Sequence, residues 1–108
     1  MSIIDSAVSH FSNKEIRSIE IPEWGVKLFS KNLTLDDKSR MLSRANGNST
    51  DYLIYAVIFG TTDGEGKPAF TLEDKSSLRN KVDPEIVSRI ATFVLESGTK
   101  SEEEREKN

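Results

Sequence analysis

The stretch with the most obvious chemical potential is DGEGKPAFTLED, residues 63–74, twelve residues with acids at both ends. A calcium loop takes oxygen ligands from its first, third, fifth and twelfth positions and needs glycine at the sixth. Here the fifth residue is Lys67, the sixth is Pro68 and the twelfth is Asp74, too short for the usual bidentate reach. A lysine at a ligand position puts a cation where the ion should sit, so the stretch reads as a turn between two elements. Gly64, Glu65 and Gly66 do not form a phosphate loop, because the Gly-Lys-Ser/Thr ending is missing and no helix start follows directly. His10 is the only histidine, and Asn13 and Lys14 stand where a second helical metal ligand would be needed. Ser97 to Lys100 match a Ser-x-x-Lys pattern, but Gly98 interrupts it at a helix end that runs into a charged segment. A serine nucleophile must instead be held rigidly beside its base in a dry pocket. The acids form no recognisable acid–base pair, and the run Glu102–Glu103–Glu104 reads as solvated. The expectation is a protein that is not an enzyme, with no catalytic residue, cofactor or metal.

Composition narrows the remaining classes. The chain has 108 residues, 35% hydrophobic and 31% charged, which suits one domain with a modest core and a heavily charged surface. A net charge of −3, with no cluster of Lys and Arg among aromatics, argues against nucleic acid as a partner. Cysteine is absent, which removes disulfides, thiolate metal sites and thiol nucleophiles. The longest apolar run, YLIYAVIF, has eight residues against the roughly 20 needed to span a bilayer, so no membrane is expected. The first residues lack the basic start and long apolar core of a signal peptide, which predicts a cytoplasmic protein.

The elements that would position any site follow from periodicity. Ile3, Ile4, Ala7, Val8 and Phe11 fall at helical spacing. Ile19 and Ile21 then alternate with polar residues, as do Val26 and Leu28, which predicts antiparallel strands over 16–21 and 26–32 joined through Pro22–Glu23–Trp24–Gly25. Pro22 cannot donate to a ladder and Gly25 supplies turn backbone, so this corner is first of all a turn. Thr34, with acids in the first turn and Asp37 three residues on, opens a helix to about Ala45, with Gly47 as its left-handed cap. Ser49 or Thr50 caps a helix over 51–60 that is apolar nearly all round, either the central core helix or one covered by a partner. Shorter signals predict helices over 72–80 and 84–97, the latter opened by Asp83 before Pro84. The expected fold is α+β: an N-terminal antiparallel β-hairpin followed by a mainly α-helical small domain. A single domain over 1–98 precedes a charged, disordered tail over 99–108.

Leu53, Ile54, Val57, Ile90, Phe93 and Val94 are the expected core centre, where truncating Phe93 to alanine should cost about 3–5 kcal/mol. Trp24 has two readings, a lid folded over the edge of the core or an exposed anchor for a protein partner. The candidate interaction residues are Trp24, Ile3, Ile4, Val8, Phe11, Tyr52 and Tyr55. The hairpin adds an edge strand that could pair between subunits.

The order of features resembles the tail assembly chaperones of long-tailed bacteriophages and prophages. The likeness is carried by IPEWGVKLFSKNLTLDD, by DGEGKPAFTLED and by DPEIVSRIATFVLESG with the charged EEEREKN that follows, together covering about residue 16 to the end. The resemblance implies a non-enzymatic protein of the host bacterial cytoplasm that binds the tape-measure protein and keeps it soluble while tube subunits polymerise around it. It implies the major tail tube protein as a further partner, and absence from the mature virion. Family members are often also made as a longer product by ribosomal frameshifting, which here would begin around 102–108. A long client needs many copies of a small chaperone, so self-association in a ring or spiral is expected. The alternatives are a small structural tail or head-completion protein, or a small ligand-binding domain.

Overall fold

In the computed structural model, which describes residues 2–96, the chain runs through α1 (Ile3–Ser12), β1 (Ser18–Ile21), β2 (Val26–Ser30), α2 (Leu35–Ala45), α3 (Ser49–Gly60) and β3 (Thr61–Thr62). A 3-10 turn at Leu72–Asp74 leads into α4 (Lys75–Asn80), and α5 (Pro84–Glu96) completes the described chain. The fold is α+β, as expected. The Ser-x-x-Lys match, the acidic run, the charged tail and the frameshift region lie outside the described residues.

β1 and β2 form the expected antiparallel hairpin, with Ile19 opposite Leu28 and Ile21 opposite Val26. Both strands are shorter than expected. The Arg17 carbonyl still accepts from the Ser30 N–H (2.8 Å), but the Lys31 N–H turns away to the Gly60 carbonyl (2.8 Å). That turn hands β2 over to β3, which pairs antiparallel on its other side and makes the order β1-β2-β3. The two-residue β3 falls where the sequence indicates only a polar turn. Its pairing depends on Thr61, whose buried hydroxyl donates to the Val57 carbonyl (2.7 Å) at the end of α3.

The helices start for the reasons their first residues give. The Thr34 hydroxyl accepts from the Asp37 N–H and the Asp37 carboxylate accepts from the Thr34 N–H, both at 3.0 Å, a reciprocal cap for α2. Burial works to raise the Asp37 pKa, but the Thr34 backbone and hydroxyl bonds outweigh it and hold the carboxyl below its usual range. The end of α2 differs from expectation: Asn46, not Gly47, is the C-cap, left-handed at φ 47°, and Gly47 follows at φ +83°. Asparagine tolerates this conformation better than other side chains do. Asn48 then caps α3 in place of Ser49 or Thr50, accepting from the Asp51 N–H at 3.0 Å, because the turn closes one residue early. Asp83 accepts from the Glu85 N–H (2.9 Å) just ahead of Pro84 at the start of α5.

α3 is the central core helix, packed against α2, α5 and α4. Ile54, Val57, Ile90 and Val94 are buried as expected. Two residues of the expected core centre are not: Leu53 and Phe93 pack against the core only half-buried. The guanidinium of Arg17 covers the Phe93 ring at 5.3 Å, so its outer face meets a cation instead of apolar neighbours. Ile21 and Met41 fill the centre instead, both fully buried. Each is supplied by an element whose inward side a short stretch of sequence identifies only weakly.

Candidate interaction surface

α1 is a regular helix. The Ser2 hydroxyl accepts from the Asp5 N–H (3.2 Å), and the Asn13 N–H closes the last turn on the Ser9 carbonyl (3.1 Å). It nevertheless buries none of its residues and joins none of the principal packing pairs of elements. Ile3 is 90% exposed, Ile4 67% and Val8 58%, with Phe11 also exposed, all on the side the periodicity marks as apolar. A helix of ten residues is marginal in water by itself and normally rests on a buried apolar face. Here that face meets solvent, so α1 offers an open strip of apolar side chains to another surface.

The other candidate residues lie elsewhere. Trp24 is half-buried against the core and meets Phe70 edge-to-face, with ring centroids 6.5 Å apart at 75°. It fits the lid reading. The corner around it is a tight turn, with the Trp24 N–H on the Ile21 carbonyl (3.0 Å), the Gly25 N–H on the Pro22 carbonyl (3.1 Å) and Gly25 at φ +65°. Glu23 at its tip accepts both guanidinium N–H groups of Arg89 on α5, at 3.1 and 3.0 Å. That hydrogen-bonded pairing holds the Glu23 carboxyl below and the Arg89 guanidinium above their ordinary pKa values. Tyr52 is half-buried. Tyr55 is buried, stacked on Phe59 at 6.1 Å with Lys75 over its ring at 5.1 Å, and does not present a surface for a partner. Residue type on an all-round apolar helix does not show which aromatic turns inward. Contact with the Tyr55 hydroxyl, then the charge of Asp51, raises the Lys75 pKa, while Asp51 also holds Arg79 and so ties α3 to α4.

The suggestive loop uses its acids on itself. Asp63 accepts from the Glu65 and Lys67 N–H groups at 2.8 and 3.0 Å, which lowers its pKa, and Asp74 accepts from the Thr71 N–H at 2.8 Å. The structure spends the two end carboxylates on separate turns and does not bring them to one point. Gly66 there adopts φ +83°. Among the described residues no group of three or more His, Asp and Glu side chains could hold a metal ion. His10 sits exposed in the last turn of α1. No helix among the described residues is long and apolar enough to cross a membrane.

Sequence reasoning did not identify a groove of about 310 Å³ beside β3, lined by Ile58, Phe59, Pro68, Phe70, Leu72 and Lys31. Its walls come from α3 and from the loop after β3, segments whose meeting depends on the strand that periodicity did not reveal. The groove is apolar with few polar groups, one of which, the Thr61 hydroxyl, is committed to Val57.

Taken together, the chain has the fold of a small α+β protein in which a hairpin closes on a helical layer and an amphipathic helix stands apart. No family profile matches the chain, and no curated protein matches it in sequence. Among solved structures it is similar to the tail assembly chaperone of bacteriophage HK97, at 19% identity and a TM-score of 0.56. The match covers 84% of this chain and 96% of that one. At that identity the likeness establishes a shared fold.

Proposed function

We propose that the protein is a phage tail assembly chaperone that binds the tape-measure protein and keeps it soluble while the tail tube assembles. The observation that carries this reading is the uncovered apolar strip of α1 on a fold shared with a tail assembly chaperone. A long helical client exposes apolar side chains until the tube encloses it, and a strip of Ile3, Ile4, Val8 and Phe11 can cover part of such a surface. One small domain covers only a short length, so many copies act together, touching one another in a ring or a spiral. The protein acts in the host cytoplasm, gives up its client as tube subunits polymerise around it and is left out of the finished particle. Its work is binding, with no reaction catalysed.

The test is co-expression with the tape-measure gene, followed by co-purification and sedimentation. The intact chain is expected to hold the client in the soluble fraction as a multi-copy complex. Replacing Ile4, Val8 and Phe11 together with serine should return the client to the pellet while the chaperone stays folded. A strictly monomeric chain that fails to keep the client soluble removes the reading. Its presence in purified particles would favour a structural tail component instead.

A further inference from the structure

We propose that Asn46–Gly47 is a latent deamidation site that the corner between α2 and α3 holds closed, so that its rate of modification reports the fraction of time the corner is open. The inference is independent of the chaperone reading.

Of the asparagines among the described residues, at 13, 32, 46, 48 and 80, only Asn46 precedes glycine. A side-chain amide is open to attack by the backbone nitrogen of the next residue, and a glycine there removes the Cβ that would otherwise obstruct the approach. Space does not protect the site either: Asn46 and Gly47 are exposed, and nothing lies within 4 Å of where a Gly47 Cβ would stand. Asn48, by contrast, has its side-chain oxygen engaged with the Asp51 N–H and is followed by a serine.

Protection comes from one torsion. Closing the five-membered ring requires the Gly47 nitrogen to swing to the same side of the Asn46 Cα–C bond as Cβ. At the observed ψ of 49° it lies nearly opposite. Turning that peptide over would break the bond from the Asn48 N–H to the Ala45 carbonyl (2.9 Å) and swing α3 away from α2. These two helices pack together through the core that includes Met41 and Ala45. Ring closure therefore waits for the corner to open, and its rate measures the open fraction.

When the corner opens, the Gly47 nitrogen bonds to Asn46 Cγ and the Cγ–Nδ2 bond breaks. The side-chain nitrogen leaves as ammonia, with the proton that Gly47 gives up. Solvent water then opens the cyclic imide at either carbonyl, leaving aspartate or isoaspartate. Either product places a carboxylate at the negative end of the α2 dipole. Isoaspartate also routes the chain through an extra methylene, in a corner too short to absorb it, so the opened state cannot close as before.

The experiment incubates the full chain at neutral pH, folded in buffer and unfolded in urea, and follows the peptide containing Asn46 by mass and by isoaspartate content. Isomerisation at Asp63–Gly64 leaves mass unchanged, and cleavage after Tyr52 or Tyr55 puts it on a different peptide from Asn46, so neither readout is confounded. The folded chain should deamidate at least about a hundredfold more slowly than the unfolded one. Ala45→Gly, a mild change in the last turn of α2, should raise the folded rate about three- to fivefold. Asn46→Gln should abolish the signal. Equal folded and unfolded rates, an unchanged rate in Ala45→Gly, or a signal that persists in Asn46→Gln would each overturn the proposal.

Discussion

Gly60, buried at the end of α3, lies directly against Val94 of α5, and substituting it puts a number on that contact. A Cβ built there would collide with Cγ1 of Val94 and lie 3.0 Å from its Cγ2. Val94 is itself buried, and a β-branched side chain in a helix has essentially one comfortable rotamer, so it cannot turn aside. Gly60→Ala must therefore push α5 outward or strain Val94, at a cost of about 2–3 kcal/mol. Replacing a helical glycine with alanine returns up to about 0.5–1 kcal/mol, less at a helix end. The net expectation is a loss of about 2 kcal/mol, a drop of roughly 10 °C in Tm for a domain of this size. Val94→Ala alone leaves a void and should cost about 2–3 kcal/mol. In the double variant the new methyl fills part of that void, so it should be more stable than either single variant. Urea denaturation of the four proteins, read as a double-mutant cycle, supplies the coupling. A Gly60→Ala protein as stable as the parent, or a double variant that loses the full sum, would refute the close approach.

The revised core makes Ile90→Ala the costlier truncation, at about 3–4 kcal/mol, and Phe93→Ala the milder one, at about 1–2 kcal/mol; equal midpoints would return Phe93 to the core centre. Thr34→Ala should cost about 1 kcal/mol by removing the hydroxyl of the reciprocal cap, measured by thermal melting. Its pH dependence follows from Asp37, whose folded pKa lies below the unfolded value. The stabilisation is complete above the ordinary carboxylate range and fades as pH falls through the folded pKa; because the backbone N–H of residue 34 still reaches Asp37 in the variant, both proteins should lose stability in acid and the gap between them should narrow without closing. Single serine substitutions at Ile4 or Val8 should change the melting temperature little, each within about 0.5 kcal/mol, while the proposed function expects them to lower the share of co-expressed tape-measure protein that stays soluble.

Period and capping made the hairpin and the helices legible, because alternation, a hydroxyl ahead of acids and Asp before Pro act over a few residues. What depended on distant partners was not legible. β3 exists because Lys31 and Gly60 meet across the chain, and two threonines beside a polar turn carry no strand signal of their own. Phe93 and Leu53 were expected inside on hydrophobicity alone, yet Arg17 occupies the outer face of one. Tyr55 illustrates the same difficulty in reverse, an aromatic expected outside that α3 turns inward. α1 is the opposite case. Its pattern was plain in the sequence, and what the structure adds is that the chain itself leaves the apolar side uncovered.

The clasp between Glu23 and Arg89 joins residues 66 positions apart, and this bears on synthesis. β1 packs on α5, so the hairpin emerges from the ribosome long before its cover. At about 5–20 residues per second, the interval is roughly 3–13 s. During that time Ile21 has no α5 to rest on, and the sheet is a bare two-stranded ribbon of the kind that is marginal in water. Nascent chains stalled before Pro84 would therefore present the same sticky interior as a misfolded protein, and the hairpin gains its cover only once α5 has emerged.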